Sequence, residues 1–365
     1  MTLLGAGGLN QSILSALCRA LPDLPSNAME ITKKIALLFP GQGSQYVDMG
    51  RDLYEHFPAA RSTFAEADEA LGFPLSQIIA KGPEGTLKLT EHTQPAILTV
   101  SIAAERALSQ ALAARGMVPG MAAGHSLGEY SAHVAAGTLS FADAVRAVRL
   151  RGRYMQEAVP AGQGAMAAVL GLDPGLIQMI CEQVTDQLTP LPKTPEAEGF
   201  DARLAVVSAA NLNSEGQTVI SGAAAAVERA AELCKQAGAK RTVMLPVSAP
   251  FHCALMQPAQ DRLASDLAGL TFNDPAFPVA ANVGASLVTT GGAAREVLVA
   301  QVTGAVRWVE CIQLLVGQGA THFVEVGPGK VLGGLMRQIL GKETAVPILN
   351  VEDRASLEKT LAALA

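Results

Sequence analysis

The segment at residues 124–128 constrains this chain most, because it reads Gly-His-Ser-Leu-Gly and so has the pattern Gly-x-Ser-x-Gly. Small residues at both ends let the backbone bend sharply between a strand and a helix, so that the hydroxyl of Ser126 projects from the turn. Residues 121–123 before it are a short apolar run, and residues 129–136 after it are typical of a helix. A serine is a weak nucleophile on its own. The rest of the chain must therefore supply a base, a charge-stabilising pocket and a substrate-binding group.

Composition indicates a globular protein and excludes several function classes. Of the 365 residues, 49% are hydrophobic and 16% are charged, which suits one large domain with an inserted or appended smaller one. The formal net charge of −6 and the lack of Lys/Arg runs argue against nucleic-acid binding. No apolar run approaches the roughly 18 residues that cross a bilayer, so we expect no membrane association.

The cysteines and the N-terminal segment bear on where the protein is found. The five cysteines are scattered, with neither a Cys-x-x-Cys pair nor a zinc spacing, which suits a reducing cytoplasm and predicts no metal site. Residues 1–28 precede a second methionine, Met29, and contain one arginine and no lysine, which makes a poor signal peptide. We interpret residues 1–28 as a leader or tag outside the fold.

The order of predicted elements indicates an α/β protein in two parts. A long helix is predicted from Pro95 to Ala114, with its start signal in the preceding Thr93 and Gln94. Between residues 162 and 247 the elements follow the order β-α-β-β-α-β, which is the ferredoxin-like unit. We therefore expect a parallel-sheet domain formed by residues 29–161 and 248–365. It is interrupted by a ferredoxin-like domain at residues 162–247, with a ligand site in the cleft between them.

Six histidines compete for the role of base. His252 directly follows the predicted insert, where the chain re-enters the cleft, and Pro250 restricts the backbone beside it. His322 begins a late apolar strand and is the main rival. His125 is adjacent to the serine and is expected to support it by packing or hydrogen bonding. The others have no motif context and are expected to be structural; they are His56, His92 and His133.

Arg151 is the second unusual residue, because it falls on the wrong face of its helix. On a helical wheel over residues 141–158, Arg151 lies within the apolar stripe and the neighbouring arginines lie opposite. An arginine cannot lose its proton to escape burial, so it needs an anionic partner. Two interpretations remain open. Arg151 forms an internal salt bridge to Asp or Glu, or its guanidinium binds a substrate carboxylate through two N–H groups.

An oxyanion pocket needs two backbone N–H groups aimed at one point. Leu127 follows the serine at a helix N-terminus, where the helix dipole also favours negative charge. The sharp turn around Gln42, after the first strand, is placed to present the second N–H group. The loss of one such donor is expected to cost about 3–4 kcal/mol of transition-state stabilisation.

A series of short motifs runs from about residue 35 to the C-terminus. They are FPGQGSQ at 39–45, TQPA at 93–96, GHSLGEY at 124–130, Arg151, ANLN at 210–213, PFH at 250–252, Gln301 with VRW at 306–308, and EVGPG at 325–329. One such motif would be weak, whereas the ordered set is specific. The chain resembles the malonyl-CoA:acyl carrier protein transacylase family. Residues 1–28 and a longer loop at 189–199 depart from the family pattern.

The resemblance implies a fold and a catalytic pair. The fold is an α/β-hydrolase-like large domain with a ferredoxin-like small domain. Ser126 would be the nucleophile and His252 the base, with the histidine oriented by a backbone carbonyl near Gln301 and not by a carboxylate. Arg151 would bind the carboxylate of a malonyl group.

The resemblance also implies a set of binding residues and a substrate preference. The N–H groups of Gln42 and Leu127 would form the oxyanion pocket. The other residues expected to bind substrate are Gln301, Phe251, Met155 and Asn211. The bulk of Leu127 and Phe251 resembles the pattern that accepts malonyl and not methylmalonyl groups.

The activity implied by the resemblance is a two-step transfer. The serine takes the malonyl group from malonyl-CoA, and the phosphopantetheine thiol of holo acyl carrier protein then takes it from the serine, in fatty-acid or polyketide synthesis. No cofactor is implied, because the partner carries the phosphopantetheine, and we expect a monomer.

Two other hypotheses for the function remain open. A serine esterase or thioesterase also uses Gly-x-Ser-x-Gly, but that fold orders its triad Ser, acid, His, which would favour His322. A carrier-protein-binding scaffold with an inactive site is the third reading. Intact Ser126, His252 and Arg151 argue against it.

Overall fold

Two β-sheets of different character organise the part of the chain that the computed structural model describes. That part comprises residues 33–190, 201–247, 249–341 and 343–365. The segment interpreted as a leader or tag and most of the loop at residues 189–199 lie outside these ranges.

The larger sheet carries the turn that holds Ser126. Its strands are β1 (Ile35–Phe39), β2 (Pro119–Gly124), β7 (Val279–Ala280), β8 (Leu287–Val288), β9 (His322–Val326) and β10 (Ile348–Val351). Their order is β10-β9-β1-β2-β7-β8, and every neighbouring pair is parallel except β7 and β8. The prediction of a mixed α/β protein with a largely parallel sheet is confirmed. The short antiparallel strand β8 was not predicted.

Helices flank this sheet and cover it. Those before residue 160 are α1 (Arg51–His56), α2 (Pro58–Leu71), α3 (Leu75–Lys81), α4 (Glu84–Leu87), α5 (Thr90–Ala113), α6 (Gly128–Ala135) and α7 (Phe141–Glu157). The side chains of β1 alternate: Leu37 and Phe39 join one apolar core, and Ala36 and Leu38 join another. This period of two places one core on each face of the sheet.

Helix α5 differs from its prediction at the N-terminus. It begins at Thr90, five residues before the predicted start, and Pro95 lies inside it. Pro95 is the sixth residue of the helix and has no N–H group, so the carbonyl of Glu91 lacks its usual intrahelical donor. By length and composition α5 is able to cross a bilayer, but 72% of its most apolar window is buried inside the protein. Such burial is typical of a core helix, so α5 is weak evidence for a membrane span.

The smaller sheet is antiparallel and comes from the middle of the chain. Its elements are β3 (Gly164–Leu170), α8 (Pro174–Leu188), β4 (Val207–Ser214), β5 (Gln217–Ala223), α9 (Ala224–Gln236) and β6 (Arg241–Met244). The strand order is β4-β5-β3-β6. The predicted succession of elements is therefore present. β6 ends at Met244, three residues before the end of the predicted insert at residue 247.

A short parallel contact ties the smaller sheet to the chain that follows it. Leu212 in β4 donates its N–H to the carbonyl of Val306 at 2.9 Å, and Val306 donates to the carbonyl of Ala210 at 2.8 Å. The remaining helices follow the smaller sheet and are α10 (Gln257–Ala268), α11 (Gly291–Ala300), α12 (Trp308–Gly317), α13 (Val331–Ile339) and α14 (Arg354–Ala363). This contact fixes the loop between α11 and α12 against β4.

We predict that Gly128→Ala destabilises the protein by about 1–3 kcal/mol. A Cβ at Gly128 would overlap the backbone carbonyl of Phe39, which cannot move without displacing a central strand. The matched control is Gly85→Ala, an exposed position in α4 where a Cβ meets no atom; it should be neutral or gain up to about 1 kcal/mol of helix stability. Urea unfolding of both variants measures the difference. Equal stabilities would show that the close approach at Gly128 relaxes freely.

Candidate active site

The turn at residues 124–128, the serine turn, holds Ser126 in a strained backbone conformation. β2 ends at Gly124 and α6 begins at Gly128; between them Ser126 has φ 51°, in the left-handed region that non-glycine residues rarely adopt. The side chain of Asn282 braces this turn. Its Oδ1 accepts from the N–H of Ser126 at 2.7 Å, and its Nδ2 donates to the carbonyl of Gly124 at 2.7 Å. Asn282 thus closes the serine turn from the adjacent strand β7.

Ser126 and His252 are in direct contact. The Oγ of Ser126 lies 2.7 Å from Nε2 of His252. On the other side of the ring, Nδ1 lies 2.9 Å from the carbonyl oxygen of Gln301 and 3.1 Å from that of Gly304. A carbonyl only accepts hydrogen bonds, so Nδ1 carries the proton and Nε2 is free to accept from the serine hydroxyl. This is the arrangement of a general base oriented by the backbone.

Burial keeps His252 neutral. The ring is almost fully buried, and this desolvation lowers the pKa of His252 to about 3, with the positive charge of Arg151 adding to the effect. The two carbonyl acceptors oppose the shift. The imidazole is therefore in its basic form over the whole neutral range.

Arg151 lies beside the serine and has no carboxylate in direct contact among the described residues. Only 2% of its surface is exposed. Its guanidinium donates to Oε1 of Gln94 at 2.8 Å, to Oε1 of Gln301 at 2.9 Å and to Oγ of Ser126 at 3.2 Å. All three acceptors are neutral. The first interpretation of Arg151, an internal salt bridge to Asp or Glu, therefore does not hold among the described residues.

A cavity of about 410 Å³ lies between the two sheets at this point. Eight of the residues expected to be catalytic or to bind substrate line it, and they are Gln42, Ser126, Leu127, Arg151, Met155, Asn211, Phe251 and His252. Gln301 does not line it. Its side chain is fully buried and the guanidinium of Arg151 stands between it and the cavity, so the role of Gln301 in substrate binding stays a prediction.

The two candidate oxyanion donors are both available. In the described ranges, the N–H groups of Gln42 and Leu127 have no hydrogen-bond acceptor. Leu127 immediately precedes α6, whose N-terminus adds a partial positive charge. Both residues line the cavity beside Ser126.

The other histidines lie elsewhere or act as support. His322 pairs with Ile35 at the amino end of β1, whereas Gly124 pairs with Phe39 at its carboxyl end. Four residues of strand separate the two, roughly 13 Å, so His322 is not near the serine. His125 lines the cavity and contacts Oδ1 of Asn213 at 2.7 Å, as its predicted supporting role requires.

Sequence reasoning missed four residues that build the site, namely Gln94, Glu129, Asn213 and Asn282. Gln94, Glu129 and Asn213 stand inside motifs that the sequence analysis quoted without giving these residues a role. Asn282 stands in none of them. The one sequence feature that could have indicated Asn282 is its position as a polar residue shortly after a buried strand. Within the described ranges, no group of His, Cys, Asp or Glu is arranged to hold a metal ion.

Comparison with known proteins finds close relatives along most of the chain. A family model described as an acyl transferase domain matches residues 36–359. The malonyl CoA-acyl carrier protein transacylase of Escherichia coli (strain K12) is 49% identical over 312 residues, which are 86% of this chain and 94% of that protein. The protein of the same name from Bacillus subtilis (strain 168) is 48% identical over 306 residues, 84% of this chain and 90% of that protein.

Solved structures give the same result. An acyl carrier protein S-malonyltransferase from Vibrio cholerae aligns with a TM-score of 0.81 at 45% identity, covering 90% of this chain and all of that chain. A malonyl-transacylase solved in complex with a type II PKS acyl-carrier protein aligns with a TM-score of 0.81 at 44% identity. That alignment covers 91% of this chain and all of that chain.

We predict that His252→Gln makes stability less dependent on pH in acid. The pKa of His252 is depressed in the folded state, so below about pH 6.5 the unfolded state binds more protons and the free energy of unfolding falls. The loss approaches about 1.4 kcal/mol per pH unit for one such group. Urea unfolding between about pH 6 and pH 4.5 should show a shallower slope for His252→Gln. Ser126→Ala, which keeps the buried ring, is the control; a slope that it shares with His252→Gln would contradict the assignment.

Proposed function

The chain belongs to the acyl transferase family, among the malonyl CoA-acyl carrier protein transacylases, and from this premise we propose that it transfers a malonyl group from malonyl-CoA to the phosphopantetheine thiol of acyl carrier protein. The observation that carries the proposal is Arg151, a buried guanidinium 3.2 Å from the nucleophile with only neutral partners in contact. Such a group is a receptor for an acyl chain that ends in a carboxylate.

We infer that the two sheets belong to two domains. The first is an α/β-hydrolase-like domain of residues 29–161 and 248–365, and the second is a ferredoxin-like domain of residues 162–247. The order β4-β5-β3-β6 with two helices supports the second name, and the serine turn between a strand and a helix supports the first. The cavity between the sheets then lies in the cleft between the domains.

In the first half-reaction, the acyl group moves from coenzyme A to the enzyme. His252 takes the proton of the Ser126 hydroxyl as the oxygen attacks the thioester carbonyl. The N–H groups of Gln42 and Leu127 stabilise the oxyanion. The intermediate collapses with release of the coenzyme A thiolate, which receives the proton from His252, and leaves malonyl-Ser126.

In the second half-reaction, the acyl group leaves the enzyme. His252 accepts the proton of the phosphopantetheine thiol, and the thiolate attacks the ester of malonyl-Ser126. The same two N–H groups stabilise the second oxyanion, and Ser126 regains its proton. No cofactor takes part in this sequence, since the phosphopantetheine arrives on the carrier protein.

The substrate-binding roles follow from position. Arg151 holds the malonyl carboxylate, while Met155, Asn211 and Phe251 form walls of the same cavity. Gln301 acts from behind Arg151, with its side chain on the guanidinium and its carbonyl on His252. The preference for malonyl over methylmalonyl groups, a monomeric state and a cytoplasmic location stay predictions.

The test of this function is intact-mass analysis after incubation with malonyl-CoA. We expect a malonyl adduct on the wild-type protein that Ser126→Ala abolishes and that holo acyl carrier protein removes. His252→Ala should lose acyl transfer by a factor of about 100 or more, whereas His322→Ala should keep it, because His322 lies at the other end of the sheet. The reverse result would assign a hydrolase-like triad instead. An absent adduct with carrier-protein binding intact would indicate a scaffold.

We predict that Arg151→Ala changes selectivity more than it changes chemistry. Without the guanidinium a malonyl carboxylate is buried unpaired, which costs about 1.5–3 kcal/mol, or a factor of about 10–100 in kcat/KM for malonyl-CoA. Transfer of an acetyl group, which has no charge to pair, should fall much less. The measurement is kcat/KM for both thioesters in both proteins. An equal loss for the two would make Arg151 a structural residue.

A further inference from the structure

Glu129 is a fully buried carboxyl directly behind the proposed acyl site. It lies in α6, three residues after the nucleophile, and none of its surface is exposed. Its Oε2 accepts from Nε2 of Gln301 at 2.7 Å and from the backbone N–H of Asn282 at 3.0 Å. In the described part of the chain, its Oε1 has no hydrogen-bond partner. The catalytic steps proposed above do not use this carboxyl.

The carboxyl fixes the orientation of Gln301. When ionised, Glu129 only accepts hydrogen bonds, so the amide nitrogen of Gln301 must face it and the amide oxygen must face away. That oxygen accepts from Arg151 at 2.9 Å, and the backbone carbonyl of the same residue accepts from His252. Glu129 therefore acts on the arginine and on the histidine through one intervening residue.

The carboxyl also balances charge. Arg151 has only neutral partners in contact, and Glu129, one amide away, is the acidic side chain that interacts with it electrostatically. The other titratable groups that interact with Glu129 are the phenol of Tyr130, on the same helix, and the thiol of Cys311, on α12. Burial raises the pKa of both, so they stay neutral, and His252 is also neutral. Before substrate binds, the buried region around Arg151 thus holds one positive charge and, when Glu129 is ionised, one negative charge.

A malonyl carboxylate on Arg151 would add a second negative charge to this buried region. Two carboxylates that share one cation cannot both stay ionised at low cost, and one of them gains a proton. The substrate carboxylate is in contact with the guanidinium, whereas Glu129 is separated from it by an amide. The proton therefore belongs on Glu129.

We propose that Glu129 is a positioning residue that balances the charge of Arg151 in the empty site and takes up one proton from solvent when the malonyl carboxylate binds. This inference rests on the proposed malonyl transfer. Burial raises the pKa of Glu129 to about 7, so the carboxyl is poised to change its charge near neutral pH. The acyl transfer itself is neutral in protons: the serine loses one and the released thiol gains one. Any net proton uptake therefore comes from another titrating group, which the proposal identifies as Glu129.

The experiment measures protons and adduct together. Wild-type protein is mixed with malonyl-CoA in weak buffer at about pH 7 with an indicator dye, and malonyl-Ser126 is quantified by intact mass. We expect an uptake of about half a proton for each malonyl-Ser126 formed, since a group with a pKa near 7 is half ionised there. Acetyl-CoA, driven to the same occupancy, releases the same thiol and should give no uptake.

The variant Glu129→Gln keeps the acceptor for Gln301 and removes the charge, so its uptake should vanish. The matched control is Glu325→Gln, because Glu325 is another buried carboxyl whose pKa is raised to about 7, but it caps α13 and contacts neither Gln301 nor Arg151. That variant should take up protons like the wild type. Uptake that persists in Glu129→Gln would place the proton on another group and overturn the proposal.

A second readout is the pH dependence of KM, whose main result comes from the wild type. Because binding favours protonated Glu129, the KM of the wild type for malonyl-CoA should rise several-fold between about pH 7 and pH 8.5. In Glu129→Gln the same profile should be flat. If malonyl-Ser126 forms with neither proton uptake nor a rise in KM, the role of Glu129 is refuted and the proposed malonyl transfer stands. If no malonyl-Ser126 forms, the proposed function itself fails.

Discussion

The buried charge of Arg151 is the constraint on which the rest of the site depends. A guanidinium keeps its proton even in a low-dielectric interior, so the protein must surround it with acceptors. Two amide oxygens and the nucleophile accept from it, and its planar group lies 5.8 Å from the centre of the Tyr130 ring. None of these contacting groups carries a charge, and the carboxyl of Glu129 lies one amide away. The fold therefore maintains a guanidinium beside the serine that a ligand carboxylate can contact directly.

The two sheets bring the parts of this site from distant points in the chain. The serine turn follows β2, and Asn282 follows the neighbouring strand β7, so parallel pairing places the brace beside the turn. The smaller sheet separates Arg151 in sequence from His252, which enters the cleft after β6. The contact between β4 and Val306 then fixes the loop whose carbonyls hold the histidine. The pairing of the strands thus determines the geometry of the candidate active site.

Local pattern was enough to predict the residues whose chemistry is visible one at a time. The Gly-x-Ser-x-Gly pattern predicted the serine turn, and helical period alone found Arg151, because a charge inside an apolar stripe is a local contradiction. The brace from Asn282 and the fully buried side chain of Gln301 depend on which strands pair and on what lies behind the arginine. No local pattern encodes either. The early start of α5 was missed because Pro95 was taken as a first residue, and propensity does not forbid a proline in the second turn when packing favours the helix.

The histidine and the arginine limit each other in a way that favours a carboxylated acyl group. In the described part of the chain, His252 donates to backbone carbonyls and contacts no carboxylate that would stabilise an imidazolium. The charge of Arg151 also opposes a second cation nearby. When His252 takes the proton of Ser126, that repulsion falls on the transition state. A malonyl carboxylate in contact with Arg151 offsets this repulsion at closer range than Glu129, which is separated from the guanidinium by the amide of Gln301. The same arginine therefore binds the carboxylated acyl group and opposes the protonated base less when that group is bound.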